Sequence, residues 1–153
     1  MIDKHGDLVC AVADMDVLED LPCDHLNKFK FWESEILLID SNIASETLSY
    51  VLSRSSSVKH VVYEPISDEK SEKILEDDFL SKLTIFKPNL IQLRHLISKI
   101  SSGRPTDSLT ELQGDYNTDK RMIKLMLAHL AEHARDSAKG ESRLSMILLT
   151  MGD

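Results

Sequence analysis

Short apolar runs alternate with longer amphipathic stretches along this chain, and that alternation restricts the fold more than any other feature. Ile36-Leu-Leu-Ile39 is a continuous apolar run, the pattern of a strand buried on both faces. Val58 to Tyr63, closed by Pro65, and Leu83 to Phe86, stopped by Pro88, read as two more strands. Leu8 to Ala13 precedes them, after the turn residues Asp3 to Gly6, and Leu144 to Leu149 follows. Helical patterns fill the intervals: Val17 to Phe31 with a break at Pro22, Ser45 to Leu52, Glu69 to Phe79, Leu90 to Ile100, and Asp119 to Ala138. Trp32, Phe29 and Phe31 are expected to pack the first helix onto the sheet. Such an order predicts βαβ units and a mainly parallel sheet with helices on both faces. In sheets of this kind ligands bind beyond the carboxyl ends of the strands.

A length of 153 residues suits one domain, 1–153, and 42% hydrophobic residues suffice for a packed core. Residues 101–118, polar and holding Gly103, Pro105 and Gly114, read as a surface loop or insertion. The turn just ahead of Leu8 and the stop soon after Leu149 predict a domain truncated at both ends. The formal charge of −8 argues against a nucleic-acid binder, which gathers Lys and Arg on one face. No apolar run reaches the length of a membrane span, and the N-terminus does not read as a signal peptide. Cys10 and Cys23 are too few for a disulfide framework, and Cys10 is expected as a small core residue. A cytoplasmic, reducing setting is the expectation.

Four strand ends carry polar groups at or just before a helix start: Asp40-Ser-Asn42, Glu64-Pro-Ile-Ser67, Lys87-Pro-Asn89 and Thr150-Met-Gly152. Free N–H groups at helix starts attract anions, so a phosphorylated ligand along this edge is physically sensible. Each residue also has a plain structural reading. Asn42 and Ser67 are good N-caps, and Asn89 with Gln92 three residues on fits a capping-box-like pattern. The shared location of the four groups favours the functional reading. Neither G-x-G-x-x-G nor G-x-x-x-x-G-K-[ST] occurs. His129-Leu-Ala-Glu132-His133 matches the H-x-x-E-H pattern, but it flanks the apolar stripe of a core-packing helix and no third metal ligand is evident. No metal site is expected there.

The ordered set Gly6 to Met15, Ile39-Asp-Ser-Asn-Ile43 with Glu46-Thr-Leu48, Glu64-Pro-Ile-Ser67 with Lys70, Lys87-Pro-Asn89, and Leu149-Thr-Met-Gly152 resembles the middle of a ribokinase-like (PfkB) carbohydrate kinase. The pseudouridine kinase branch is the most similar. The resemblance implies a three-layer αβα domain and a β-lid of which Leu8 to Met15 is one strand. It also implies phosphoryl transfer from ATP, with Mg2+, to a sugar hydroxyl. It places Asn42, Lys70 and Asn89 in the substrate or phosphate cleft and Thr150 and Gly152 at the nucleotide-binding turn. Gln92 stands where the family's Asn-x-x-Glu motif has the Glu that organises metal, and an amide lacks that charge. The Gly-Ala-Gly-Asp motif, whose Asp is the family's catalytic base, does not occur in the sequence, so no catalytic residue is assigned. The expectation is a kinase-like chain that binds nucleotide and sugar or nucleoside but is inactive alone. The alternative is a non-catalytic regulatory remnant that associates, with itself or another chain, through exposed edges.

Overall fold

The computed structural model describes Lys4, Gly6, Cys10, Asp14 and residues 16–101, 116–138 and 141–150. The predicted lid strand Leu8 to Met15, Gly152, and most of the polar stretch 101–118 lie outside the described residues.

Four strands, β1 (Ile36–Asp40), β2 (His60–Glu64), β3 (Ile85–Phe86) and β4 (Met146–Ile147), form one sheet in the order β1-β2-β3-β4, with every pairing parallel. Among the described residues seven α-helices accompany them: α1 (Asp16–Glu19), α2 (Cys23–Leu26), α3 (Ser45–Arg54), α4 (Asp68–Ser71), α5 (Phe79–Lys82), α6 (Leu90–Ile100) and α7 (Tyr116–Ser137). The α/β class and the parallel sheet are therefore as the sequence predicts.

The core has a definite side. Ile39, Val61, Tyr63 and Phe86 share one face of the sheet, as the register Ile39↔Tyr63 and Tyr63↔Phe86 requires. They are buried against Leu48, Val51 and Leu52 of α3, Phe79 and Leu80 of α5, Leu93, Leu96 and Ile97 of α6, and Met126, Leu130 and Ala134 of α7. The opposite face holds Ile36, Leu38 and Met146, which stand 63%, 65% and 52% exposed. Strand order explains the asymmetry. Right-handed crossovers that always step the same way put every connecting helix on the same face; a reversal of order would populate the other. Of the three expected layers, the described residues populate the sheet and one helical layer. The reading of Ile36 to Ile39 as buried on both faces is corrected for the same reason: β1 is an edge strand with one face uncovered among the described residues.

Local chemistry sets the element ends. Asn89 and Gln92 form a reciprocal capping box: Gln92 N–H donates to Asn89 Oδ1 at 2.8 Å, and Asn89 N–H donates to Gln92 Oε1 at 2.9 Å. The Gln92 amide then donates to the Pro65 carbonyl at 3.0 Å, tying α6 to the end of β2. Ser67 caps α4 by accepting from Lys70 N–H. The long charged helix expected over Glu69 to Phe79 is broken into α4, a 3-10 turn Glu72–Leu75 and α5. Asp77 between them has a left-handed φ of 46°, which no helix accommodates. The first helical pattern fragments likewise: α1 ends ahead of Pro22, and Lys30 at φ 45° separates two 3-10 turns. Phe31 packs against the core, whereas Phe29 is 67% exposed and does not. Cys10 is exposed rather than a core residue.

Near its end α7 brings His129, Glu132, His133 and Asp136 together with Ile100 around a cavity of about 110 Å³. Among the described residues no three His, Cys, Asp or Glu side chains are arranged to hold a metal ion. Burial, and then the neighbouring His129, hold the His133 imidazole below the ordinary histidine range, with Asp136 opposing them.

Two stability measurements follow from these contacts. Gln92→Glu, the exchange that would recreate the family's acid, places a carboxylate against the Pro65 carbonyl oxygen in a site only 4% exposed. It should lower unfolding free energy by about 1–3 kcal/mol in a urea titration. Equal or greater stability would show that the amide is not needed as a donor. For His133, the unfolded chain binds a proton that the folded chain resists between the depressed folded pKa and the ordinary 6.5. Its contribution is complete above about pH 6.5 and is lost as pH falls below it. His133→Gln should flatten the acid-side decline of the melting temperature; an unchanged pH profile would contradict this.

Candidate functional site at the carboxyl ends of the strands

The strand ends β1, β2 and β3 and the bridge beyond β4 meet along one rim, because parallel strands all deliver their carboxyl ends to the same side. At the end of β1, the Asp40 carboxylate is clamped by its own chain. Oδ1 accepts from Asn42 N–H at 2.8 Å and Oδ2 from the Asn42 side-chain amide at 3.2 Å. That fixes the amide so that its oxygen points outward and accepts from Lys70 Nζ at 2.9 Å. Asn42, 8% exposed, is therefore not the N-cap of α3; Ala44 holds that position. The capping expectation for Asn42 is corrected: its side chain reaches across to α4 instead.

Ser41, fully buried, accepts from Ile66 N–H at 2.9 Å and so joins the ends of β1 and β2. Lys73 donates to the carbonyls of Ser41 and Ile43 at 3.3 and 2.7 Å. Lys87 is paired with Glu64 across β3 and β2. Asn89 lies beside Thr150 in a parallel bridge, where Leu90 N–H donates to the Thr150 carbonyl at 3.1 Å and Thr150 N–H to the Pro88 carbonyl at 3.0 Å. Beneath the rim the Tyr63 hydroxyl is buried and makes no hydrogen bond. Burial pushes its pKa well above the ordinary tyrosine range, Asp40 and Glu76 adding to the shift while nearby Ser41 opposes it.

The structure thus brings Asn42 and Lys70 into direct contact and sets Asn89, Gln92 and Thr150 at the adjoining strand ends. Ser41 and Lys73 were not singled out by the sequence. The available signal was Lys73 at i+3 from Lys70, one turn along the same helical face. The cation set suits an anion: among the described residues Lys70 is held only by a neutral amide oxygen, whereas Lys87 already has a carboxylate partner. The same rim does not fit a protein-held magnesium ion. Both Asp40 oxygens face Asn42, Glu64 faces Lys87, and the amide at position 92 is engaged with Asn89 and Pro65.

No family model matches the sequence. A pseudouridine-metabolizing bifunctional protein of Schizosaccharomyces pombe is 29% identical over 101 residues, which is 66% of this chain and 13% of that protein. A carbohydrate kinase from Agrobacterium tumefaciens superposes on 99% of this chain and 39% of its own, with a TM-score of 0.60 and 20% identity. The chain therefore spans well under half the length of either protein. Its fold is therefore that of the carbohydrate kinase it superposes on, and its sequence is similar to part of the pseudouridine-metabolizing protein.

Proposed function

We propose that the rim around Asn42, Lys70, Asn89 and Thr150 binds the anionic part of a nucleotide or phosphorylated nucleoside, as a portion of an ATP-dependent sugar or nucleoside kinase cleft. The observation that carries this reading is the Asp40–Asn42–Lys70 chain of contacts. A carboxylate orients a buried amide, and the amide holds a lysine at the mouth of converging strand ends. Such a lysine needs little rearrangement to turn from a neutral oxygen to a phosphate, where a charge-assisted bond is about twice as strong. The positive end of the α6 dipole lies beside Thr150 and adds to the attraction. Pseudouridine is the nucleoside that the relationship favours, because the related yeast protein metabolizes it.

Phosphoryl transfer depends on placing a base and stabilising charge around the moving group. The carboxylates at the ends of β1 and β2 are already engaged, Asp40 by Asn42 and Glu64 by Lys87, so neither stands ready to take a hydroxyl proton. Binding without turnover is therefore the activity proposed for these 153 residues by themselves.

Calorimetric titration with ADP at low salt should give weak binding that Lys70→Ala reduces by about tenfold, equivalent to roughly 1.4 kcal/mol. Lys99→Ala, in the last turn of α6 and paired with Glu72, should leave it unchanged. Equal losses from both substitutions would leave only general charge attraction. Incubation with ATP and pseudouridine should release no more ADP than a protein-free blank, and nucleoside-dependent ADP release by rigorously purified chain would refute the non-catalytic reading.

A further inference from the structure

Three lysines reach the strand ends, and the oxygens they touch sort their roles. Lys87 is paired with the Glu64 carboxylate. Lys70 donates to one neutral oxygen, that of the Asn42 amide, at 2.9 Å. Lys73 donates to two backbone carbonyls, Ser41 at 3.3 Å and Ile43 at 2.7 Å. Those two carbonyls flank Asn42 in the chain. Lys73 is itself held in place by its neighbour, because Ile74, fully buried in the core, anchors the 3-10 turn Glu72–Leu75.

The Ser41 carbonyl and the Asn42 N–H belong to one peptide unit, which is planar and stiff. Its carbonyl end accepts from Lys73, and its N–H end donates to Asp40 Oδ1 at 2.8 Å. Gripped at both ends, the unit has little freedom to rotate, so Asn42 leaves it in a fixed direction. The Ile43 carbonyl gives Lys73 a second hold on the other side of Asn42. Asp40 Oδ2 then takes the nitrogen of the Asn42 amide, and the amide oxygen is left for Lys70. We infer that Lys73 is a positioning residue of the rim, acting through the 41–43 backbone and Asn42, and that Lys70 alone of the two moves to a phosphoryl oxygen. This rests on the phosphate reading of the rim and divides the roles of two lysines that stand three residues apart. Lys70 gives up one neutral oxygen when it moves; Lys73 would give up two, and Lys87 a carboxylate.

The test is calorimetric titration of the full chain with ADP at about 50 and about 200 mM salt. Lys73→Met removes the donor and keeps the apolar stem, and should lower affinity about tenfold. Lys73→Arg, whose fork can donate to both carbonyls, should stay within about twofold of the original chain. Because the Lys70 contact survives, Lys73→Met should keep the original fold-change between the two salts, whereas Lys70→Ala should shrink it. In an Asn42→Ala background Lys73→Met should cost nothing further, since both act through the same amide. Lys82→Met removes an equal charge at the end of α5, where Lys82 pairs with Asp78, and should leave affinity unchanged. A second measurement needs no variant: in isotope-labelled protein followed by NMR, ADP should shift the Lys70 side-chain signal and leave that of Lys73 in place. A Lys73 signal that moves as Lys70's does, or a salt dependence that shrinks in Lys73→Met, would make Lys73 a phosphate ligand and overturn the inference. Affinity that Lys73→Met leaves within about twofold, or a loss that adds in full to that of Asn42→Ala, would overturn it too. Absence of ADP binding by the unsubstituted chain is a separate result, which removes the phosphate reading and this role together.

Discussion

Parallel pairing of β1 with β2 over five residues, Ile36↔His60 to Asp40↔Glu64, is the constraint on which the rest of the molecule depends. It sends the polar residues after each strand to one rim and the helices that follow to one face. Were the strands antiparallel, Asp40 and Glu64 would lie at opposite ends of the sheet and Asn42 could not meet Lys70. The short strands β3 and β4 contribute little ladder of their own. They are held through Thr84, whose hydroxyl accepts from Val61 N–H at 2.8 Å, and through Arg143, which donates to the carbonyls of Ser55 and Val58. The sheet is thus strong on its β1–β2 side and pinned by side chains on the other.

The rim and the uncovered surfaces are two consequences of the same topology. Among the described residues a monotonic strand order concentrates apolar burial on one face and leaves Ile36, Leu38 and Met146 open on the other. The rim, by contrast, is dense with hydrogen bonds that link successive strand ends: Ser41 to Ile66, Lys73 to Ser41 and Ile43, and Gln92 to Pro65. Polar groups buried at this depth are tolerated because nearly all of them are satisfied. Among the described groups of the rim the Tyr63 hydroxyl is an exception, and it lies near Asp40 and Ser41.

Gln92 illustrates how one residue can be read in two ways. By family resemblance it stands in a metal-organising position; in the structure its oxygen caps α6 and its amide holds the end of β2. A glutamate could accept from Asn89 N–H but could not donate to Pro65. The amide therefore matches the local geometry here, and the positive charge of the rim comes from its lysines.

Local signals made much of this protein legible. Leu90–Ile100 was read to the residue because Asn89, Gln92 and the 3.6-residue apolar period agree. The four described strands and the polar strand ends were legible in position, since an apolar run followed by a Pro, Asn or Asp turn is a short-range pattern, but β3 and β4 are shorter than their apolar runs and the order of strands in the sheet was not read. What only the tertiary structure decided involves partners far apart in sequence. The break at Asp77, the single covered face of the sheet, the exposure of Phe29, and the turning of Asn42 from a cap into the support of Lys70 28 residues away all belong to that class. Periodicity specifies which side of an element is apolar, but not whether another element is there to cover it. A polar side chain likewise shows its hydrogen-bonding capacity in the sequence, while its partner is settled only when the strands are placed side by side.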